Sequence, residues 1–256
     1  MELTKEQQEK LEKLKERPIG SWEYPRVLVT IPLERAISHA DQCFWQFMAI
    51  AQQGPTFFPL PYQRTDLFRN KVATKLLQSD FTHLLMLDID HIHPADIIQR
   101  LAKWYIIAPQ VQVVGGLNFR RGKPFEPCAF KIEDGAVYSI AGWGKGLVEV
   151  DALGTGCIMV AREVFEQIEP PWFYNSYERA WRDEWPGEDI GFSNKCRDAG
   201  IKLYCDTTLT SPHLTTSKID ESTFRNHLKA QNTPLVDIKT KKVLSQDEAK
   251  EKGLTP

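Results

Sequence analysis

Apolar residues along this chain come at two spacings. Mostly apolar runs stand at 26–31 (RVLVTI), 83–87 (HLLML) and 111–114 (VQVV). Runs apolar on both faces predict strands buried within a sheet. Between and after them, residues 38–53, 66–78 and 94–107 place apolar side chains at helical intervals, and Pro94 suits a helix start. Residues 57–62 read as a short extended piece. Strand and helix therefore alternate, which predicts an α/β fold with a parallel sheet between helices.

The pattern changes in the second half. Strand-like pieces fall at 129–132, 137–140 and 147–152, followed by the turn Gly154-Thr155-Gly156 and an apolar stretch at 157–160. A helix is predicted over 162–167, up to Pro170-Pro171, and another over 188–199, closed by Gly200. Residues 203–205 read as a last strand. This half predicts a mixed arrangement rather than further parallel units.

Both ends differ in composition from the middle. Residues 2–17 alternate Glu and Lys around Leu3, Leu11 and Leu14, with Thr4 placed to cap a helix. Such a helix packs on the domain or on a partner, and an oligomer formed through it is one expectation. Beyond residue 231 the chain is polar and charged. The expected organisation is a charged helix at 1–20, one domain at 21–231 and a polar tail at 232–256.

Composition narrows the class. A chain of 256 residues with 42% hydrophobic content can bury a core without disulfides. Its 32 Lys plus Arg against 34 Asp plus Glu leave a formal charge of -2, which predicts no broad attraction to nucleic acid or anionic membrane. Five cysteines without a C-x-x-C pair fit a reducing cytoplasm. No apolar run approaches the roughly 20 residues that span a bilayer.

The candidate chemistry centres on Asp88-Ile89-Asp90. The pair closes an apolar strand at the sheet edge where ligands bind in open α/β folds. Residues i and i+2 of extended backbone face one side, and two carboxylates held together there favour a cation between them. His213, in Ser211-Pro212-His213-Leu214, would complete a mixed oxygen and nitrogen site suited to Mn or Mg. Glu188-Asp189 opens a helix, where acids complement the dipole; alternatively, a carboxylate here serves as general base or acceptor clamp. The aromatic stretch before it, with Trp172, Phe173, Tyr174, Tyr177, Trp181 and Trp185, reads as too polar for a core element. Trp181, Trp185 and Phe192 would line a cleft facing a sugar. Gly154 is either a tight turn or a point of close backbone approach. Arg64 and Arg69 carry a group suited to diphosphate, although an exposed helical Arg is the ordinary reading.

These segments resemble, in order, the GT-A fold glycosyltransferases, particularly family-2-like enzymes and their short phage or bacterial relatives. The stretches are RVLVTIP, RTDLFRNKVATKLL, HLLMLDIDHIHP, VDALGTGCIMVAREVFEQI, PPWF, PGEDIGFSNKCRDAGIKLYCD and SPHL, which span residues 26–214. The resemblance implies a GT-A fold, with a mostly parallel Rossmann-like sheet flanked by helices and a mixed acceptor-side half. It implies transfer of a sugar from a UDP- or GDP-sugar with Mn2+ or Mg2+. Asp88 would lie towards the ribose, Asp90 and His213 on the metal with Asp88 beside them, and Thr30, Ile31 and Pro32 along the nucleotide. Arg69 would lie near the nucleotide or diphosphate. Glu188 and Asp189 match the acceptor-side acids, and the Asp serves as base in inverting members; the same acids occur in retaining relatives, so stereochemistry stays open. The acceptor is a glycan, a lipid-linked sugar, a protein or modified DNA. Two other readings compete: a nucleotide-sugar or glycan-binding module without turnover, and a haloacid-dehalogenase-type phosphatase. The phosphatase motif ordinarily lies near the N-terminus and continues differently from His91-Ile92-His93.

Overall fold

The computed structural model describes residues 3–16, 22–31, 64–134, 136–175, 187–215 and 219–231. Shorter pieces are described at 46, 49–50, 56–57, 235–236, 243–245, 248 and 251. Most of the expected helix at 38–53 and of the extended piece at 57–62, with Pro32, Tyr177, Trp181 and Trp185, lies outside the described residues.

A seven-stranded sheet forms the centre. Its strands, in chain order, are β1 (Val27–Thr30), β2 (Thr56–Phe57), β3 (His83–Leu87), β4 (Val113–Leu117), β7 (Leu147–Val150), β9 (Cys157–Ala161) and β10 (Leu203–Thr210). Their spatial order is β2-β1-β3-β9-β4-β10-β7. β1 pairs in parallel with β2 and β3, and β4 with β10, whereas β9 runs antiparallel to both β3 and β4. β7 is antiparallel to β10. The sheet is therefore mostly parallel in direction, with β9 and β7 reversed.

Every residue of β1, β3, β4 and β9 is buried. Alternate side chains point into two cores, as strand geometry requires. Leu28, Leu84, Met86, Val113 and Ile158 join one core; Val29, Leu85, Leu87, Val114 and Met159 join the other. Helices α1 (Lys5–Glu16) and α3 (Ile97–Ile107) contribute to the second core through Leu14, Ile98 and Leu101. Helices α2 (Thr65–Leu77), α4 (Arg162–Gln167), α5 (Glu188–Asp198) and α6 (Glu221–Gln231) contribute to the first. The layers are helix, sheet, helix.

Thr4 caps α1 as its sequence position suggests. Its Oγ1 accepts from Gln7 N (3.2 Å), and Gln7 Oε1 accepts from Thr4 N (3.0 Å). The helix packs on α3 of its own chain, where Gln7 Nε2 donates to the Ile106 carbonyl (3.3 Å).

Three expectations are revised. The stretch 147–152 is two strands: β7 joins the main sheet, while β8 (Ala152–Leu153) joins a small antiparallel sheet with β5 (Ala129–Glu133) and β6 (Ala136–Ser139). β10 runs to Thr210 rather than ending at 205: β7 pairs with it to Asp206, and β4 pairs with it to Asp206 and, past an irregularity, again at Thr210. Within the tail, β11 (Leu235–Val236) and β12 (Val243–Leu244) pair, and Leu244 is buried in the first core.

Candidate active site

One edge of the sheet gathers the candidate residues, and strand direction explains why. Thr30 ends β1, Asp88 follows β3, Asn118 follows β4, and Ser211 follows β10. β9 runs the other way, so Gly154-Thr155-Gly156, which precedes it, arrives at the same edge. Asp88 N donates to the Gly156 carbonyl (2.9 Å), closing the junction of β3 and β9.

Arg69 lies at the centre of the charges. Its guanidinium donates from Nε to Glu188 Oε1, from Nη1 to the Thr155 carbonyl and from Nη2 to Asp88 Oδ1, each at 3.1 Å. The residue is 2% exposed, so the ordinary reading of an exposed helical Arg does not hold. Burial works against its charge, but Asp88, Glu188 and Asp189 outweigh it and raise its pKa. One buried cation thus joins the strand-end acid motif to the helix-start acid motif.

Asp90 has a different set of partners. Oδ1 lies 3.2 Å from His91 Nδ1, and Oδ2 lies 3.1 Å from His213 Nε2 and 3.0 Å from Arg121 Nη1. The rings of His91 and His213 stack at 4.1 Å. Candidate ligand atoms of Asp90, His91 and His213 all lie within 4.8 Å of one another. Burial works to raise the Asp90 carboxyl, yet hydrogen bonds with His213 and His91 hold it far below the usual carboxylate range.

The donor set fits a divalent cation. His213 Nδ1–H donates to the Phe119 carbonyl (2.9 Å). The Nε2 edge then meets the Asp90 carboxylate only as an imidazolium or through a shared cation. Imidazole with carboxylate suits Mn2+ and related ions. A backbone carbonyl that fixes the tautomer of a ligating His is also a recurring outer-shell device of metal sites.

Backbone pairing brings His213 to this place. Ile92 N donates to the Pro212 carbonyl (2.8 Å) and Leu214 N to the Asp90 carbonyl (2.6 Å). His93 adds a side-chain strap: Nε2–H donates to the Asp88 carbonyl (3.0 Å), and Nδ1 accepts from Ser211 Oγ (2.9 Å). Burial pushes the pKa of His93 down to about 3, so it serves as a neutral brace.

Glu188 and Asp189 occupy the first turn of α5. Burial, with Glu188 beside it, pushes Asp189 up to about 6. Asp189 Oδ1 accepts from Ile190 N (2.8 Å). A Cβ on Gly187 would stand 2.6 Å from that same oxygen, so a larger residue there would push the Asp189 carboxylate from this position.

Thr30 is fully buried at the end of β1, and its hydroxyl has no partner among the described residues. Gly154 is enclosed by the protein itself: a Cβ there would stand 2.6 Å from Cys128 Cβ. The close approach seen at Gly154 is to the protein's own Cys128.

The aromatic expectation needs correction. Trp172 and Phe173 are core residues at 6% and 1% exposure, and Phe192 is fully buried against Phe173, with ring centroids 4.5 Å apart. The polar surroundings misled because Asn70 satisfies this backbone, accepting from Trp172 N (2.8 Å) and donating to the Phe173 carbonyl (2.7 Å). A different aromatic group, Phe119, Trp143 and Phe224, packs together next to the Phe119 carbonyl that His213 contacts.

Sequence reasoning missed His91, Arg121 and Asn118. His91 directly follows the Asp-x-Asp, which was the available signal. Asn118 is 2% exposed, and neither amide atom has a partner among the described residues. It lies beside His91: His91 Nε2 and Asn118 Nδ2 both fall 3.2 Å from where a Gly156 Cβ would stand.

No family model and no curated protein matches the chain. Solved structures do. A197 from STIV superposes with a TM-score of 0.52 at 18% identity, covering 86% of this chain and 94% of that one. GalNAc-T7, crystallised with UDP, GalNAc and Mn2+, gives 0.48 at 12% identity, covering 81% of this chain and 42% of that one. The inositol-1-phosphate CTP transferase from T. maritima gives 0.44 at 7% identity, covering 80% and 95%. The likeness to A197 shows a shared α/β fold.

Proposed function

We propose that the protein is a GT-A-type glycosyltransferase that moves a sugar from a UDP- or GDP-sugar to an acceptor hydroxyl, using Mn2+ or Mg2+. One observation carries the reading: a buried guanidinium joins Asp88 to Glu188, beside a cluster of Asp90, His91 and His213 suited to a divalent cation. Such a cation offsets negative charge that develops on a departing nucleoside diphosphate.

The residues divide the work. Asp90, His91 and His213 hold the cation. Asp88, oriented by Arg69, takes a ribose hydroxyl, and the buried Thr30 hydroxyl lies along the nucleotide. Asp189 accepts the acceptor hydroxyl's proton as that oxygen attacks the anomeric carbon. Its raised pKa of about 6 leaves it ionised at neutral pH and more basic than an ordinary carboxylate. Glu188 stays with Arg69 and positions Asp189.

Calorimetry with UDP and GDP, with Mn2+ and after chelation, tests the donor half. Binding should depend on the metal and be lost in Asp90→Asn; equal affinity after chelation would remove the metal from the reading. Product analysis tests the acceptor half. Direct displacement with Asp189 as base inverts the anomeric centre, so a retained configuration would exclude that role.

A further inference from the structure

Building on the donor site just described, we propose that Arg121 is a diphosphate-binding residue whose guanidinium passes from Asp90 to the donor when a divalent cation takes Asp90.

Arg121 sits on the loop between β4 and β5, and the backbone of this loop is firmly set. Cys128 N donates to the Asn118 carbonyl (2.8 Å), Arg120 N to the Glu126 carbonyl (2.9 Å) and Phe125 N to the Gly122 carbonyl (2.8 Å). Phe119 and Pro127 face each other as an antiparallel bridge across its base. The Arg121 side chain is by contrast 59% exposed, and among the described residues it forms an ion pair with Asp90 Oδ2 at 3.0 Å. A fixed backbone with an exposed, unbranched side chain keeps the guanidinium local while leaving it free to change partners.

The oxygen that Arg121 holds is also 3.1 Å from His213 Nε2, and it belongs to the cluster suited to a cation. A guanidinium and a divalent cation on one carboxylate oxygen are like charges a few ångströms apart, so each opposes the other. Arg121 therefore yields Asp90 to the cation. Among the described residues, Asp88 and Glu188 are already paired with Arg69, and Glu126 with Arg120. A diphosphate on the cation presents oxygens in the geometry a guanidinium binds with two hydrogen bonds. Arg121 thus disfavours the metal by itself and favours the metal together with diphosphate. By linkage the two ligands then strengthen each other's binding. The competing account is a surface ion pair of little consequence.

Free Mn2+, read by its electron paramagnetic resonance signal, and UDP or GDP binding in saturating Mn2+, read by calorimetry, separate these accounts. Arg121→Gln should bind Mn2+ alone about 5–10-fold more tightly and the nucleoside diphosphate about tenfold more weakly, within the usual range of site coupling. Arg121→Lys keeps the charge and should fall between wild type and Arg121→Gln in both titrations. An Arg121→Gln protein that matches wild type in either titration would overturn the proposal. Wild-type protein that binds neither Mn2+ nor a nucleoside diphosphate would instead remove the donor-site reading beneath it.

Discussion

Asp189 carries the clearest pH signature of any residue at the site. Its pKa of about 6 stands above that of an unfolded-chain aspartate, so the folded protein keeps a proton that the unfolded chain has already lost. Ionising it therefore costs stability as pH rises from about 4 to about 6, and the full cost is present above that window. Asp189→Asn removes the cost and still accepts from Ile190 N. Its melting temperature should exceed that of wild type above pH 6, with the difference shrinking towards pH 4; a pH-independent difference would contradict the buried-charge account. The same ionisation should make transfer rise with pH through about 6 and then level, and Asp189→Asn should lose transfer while keeping UDP or GDP affinity. Gly156 makes a second prediction at this scale. A Cβ there would stand 2.9 Å from His91 Cε1, so Gly156→Ala should displace the ring. Mn2+ affinity should fall by about 10–100-fold, the usual cost of disturbing a ligand's support. Unchanged Mn2+ binding in a variant with native circular dichroism would argue against His91 as a ligand.

At the scale of elements, the site is a meeting of strand ends and helix starts. Reversed β9 is what delivers the 154–156 turn to the edge where Asp88 leaves β3. β4 carries Gly115 and Gly116 because a Cβ on either would stand 3.0 Å from a backbone carbonyl, of Cys157 and of Leu209. Helix α1 is remote in role: it covers α3 and contributes none of the site's described contacts. Thr4→Ala should therefore loosen α1 by about 1 kcal/mol, the usual cost of a lost N-cap. Hydrogen exchange of α1 amides should accelerate about fivefold for that energy. Nucleoside diphosphate affinity should not move, and a large change in it would tie α1 to the site.

For the whole molecule, Arg69 is the link between the two halves. Arg69→Met would leave the partly buried Asp88 and Glu188 without their buried cation. Removing one partner of a buried pair costs about 3–5 kcal/mol, which urea unfolding would register. Donor binding and transfer should fail together, because Asp88 and Glu188 lose one common support. Arg69→Met combined with Glu188→Gln should recover part of the stability and none of the transfer. A single variant as stable as wild type would show that the guanidinium does not organise the site.

The sequence by itself determined the strands and helices whose patterns are local. Four consecutive apolar residues at 84–87 leave no polar face, so β3 is legible in the sequence. The N-terminal helix, the helix after Ala161 and the one closed by Gly200 are equally plain, since their caps and breakers lie within a turn of their ends. Asp88-Ile89-Asp90 was legible as a motif because it closes such a strand. Tertiary structure alone decided the rest. Periodicity reports how many faces of an element are buried but not what covers them, so it could not place Trp172 and Phe173 in the core or show that Asn70 satisfies their backbone. Nor does spacing carry strand direction, which is why the reversal of β9 and the reach of β10 were invisible. The site's charge pattern is the most distant property of all. Arg69 is buried between Asp88 and Glu188, and Asp90 is shared by His91, His213 and Arg121, only because loops far apart in sequence converge at one sheet edge. Which carboxylate meets a guanidinium and which meets imidazoles depends on distances of about 3 Å, and those are set by packing.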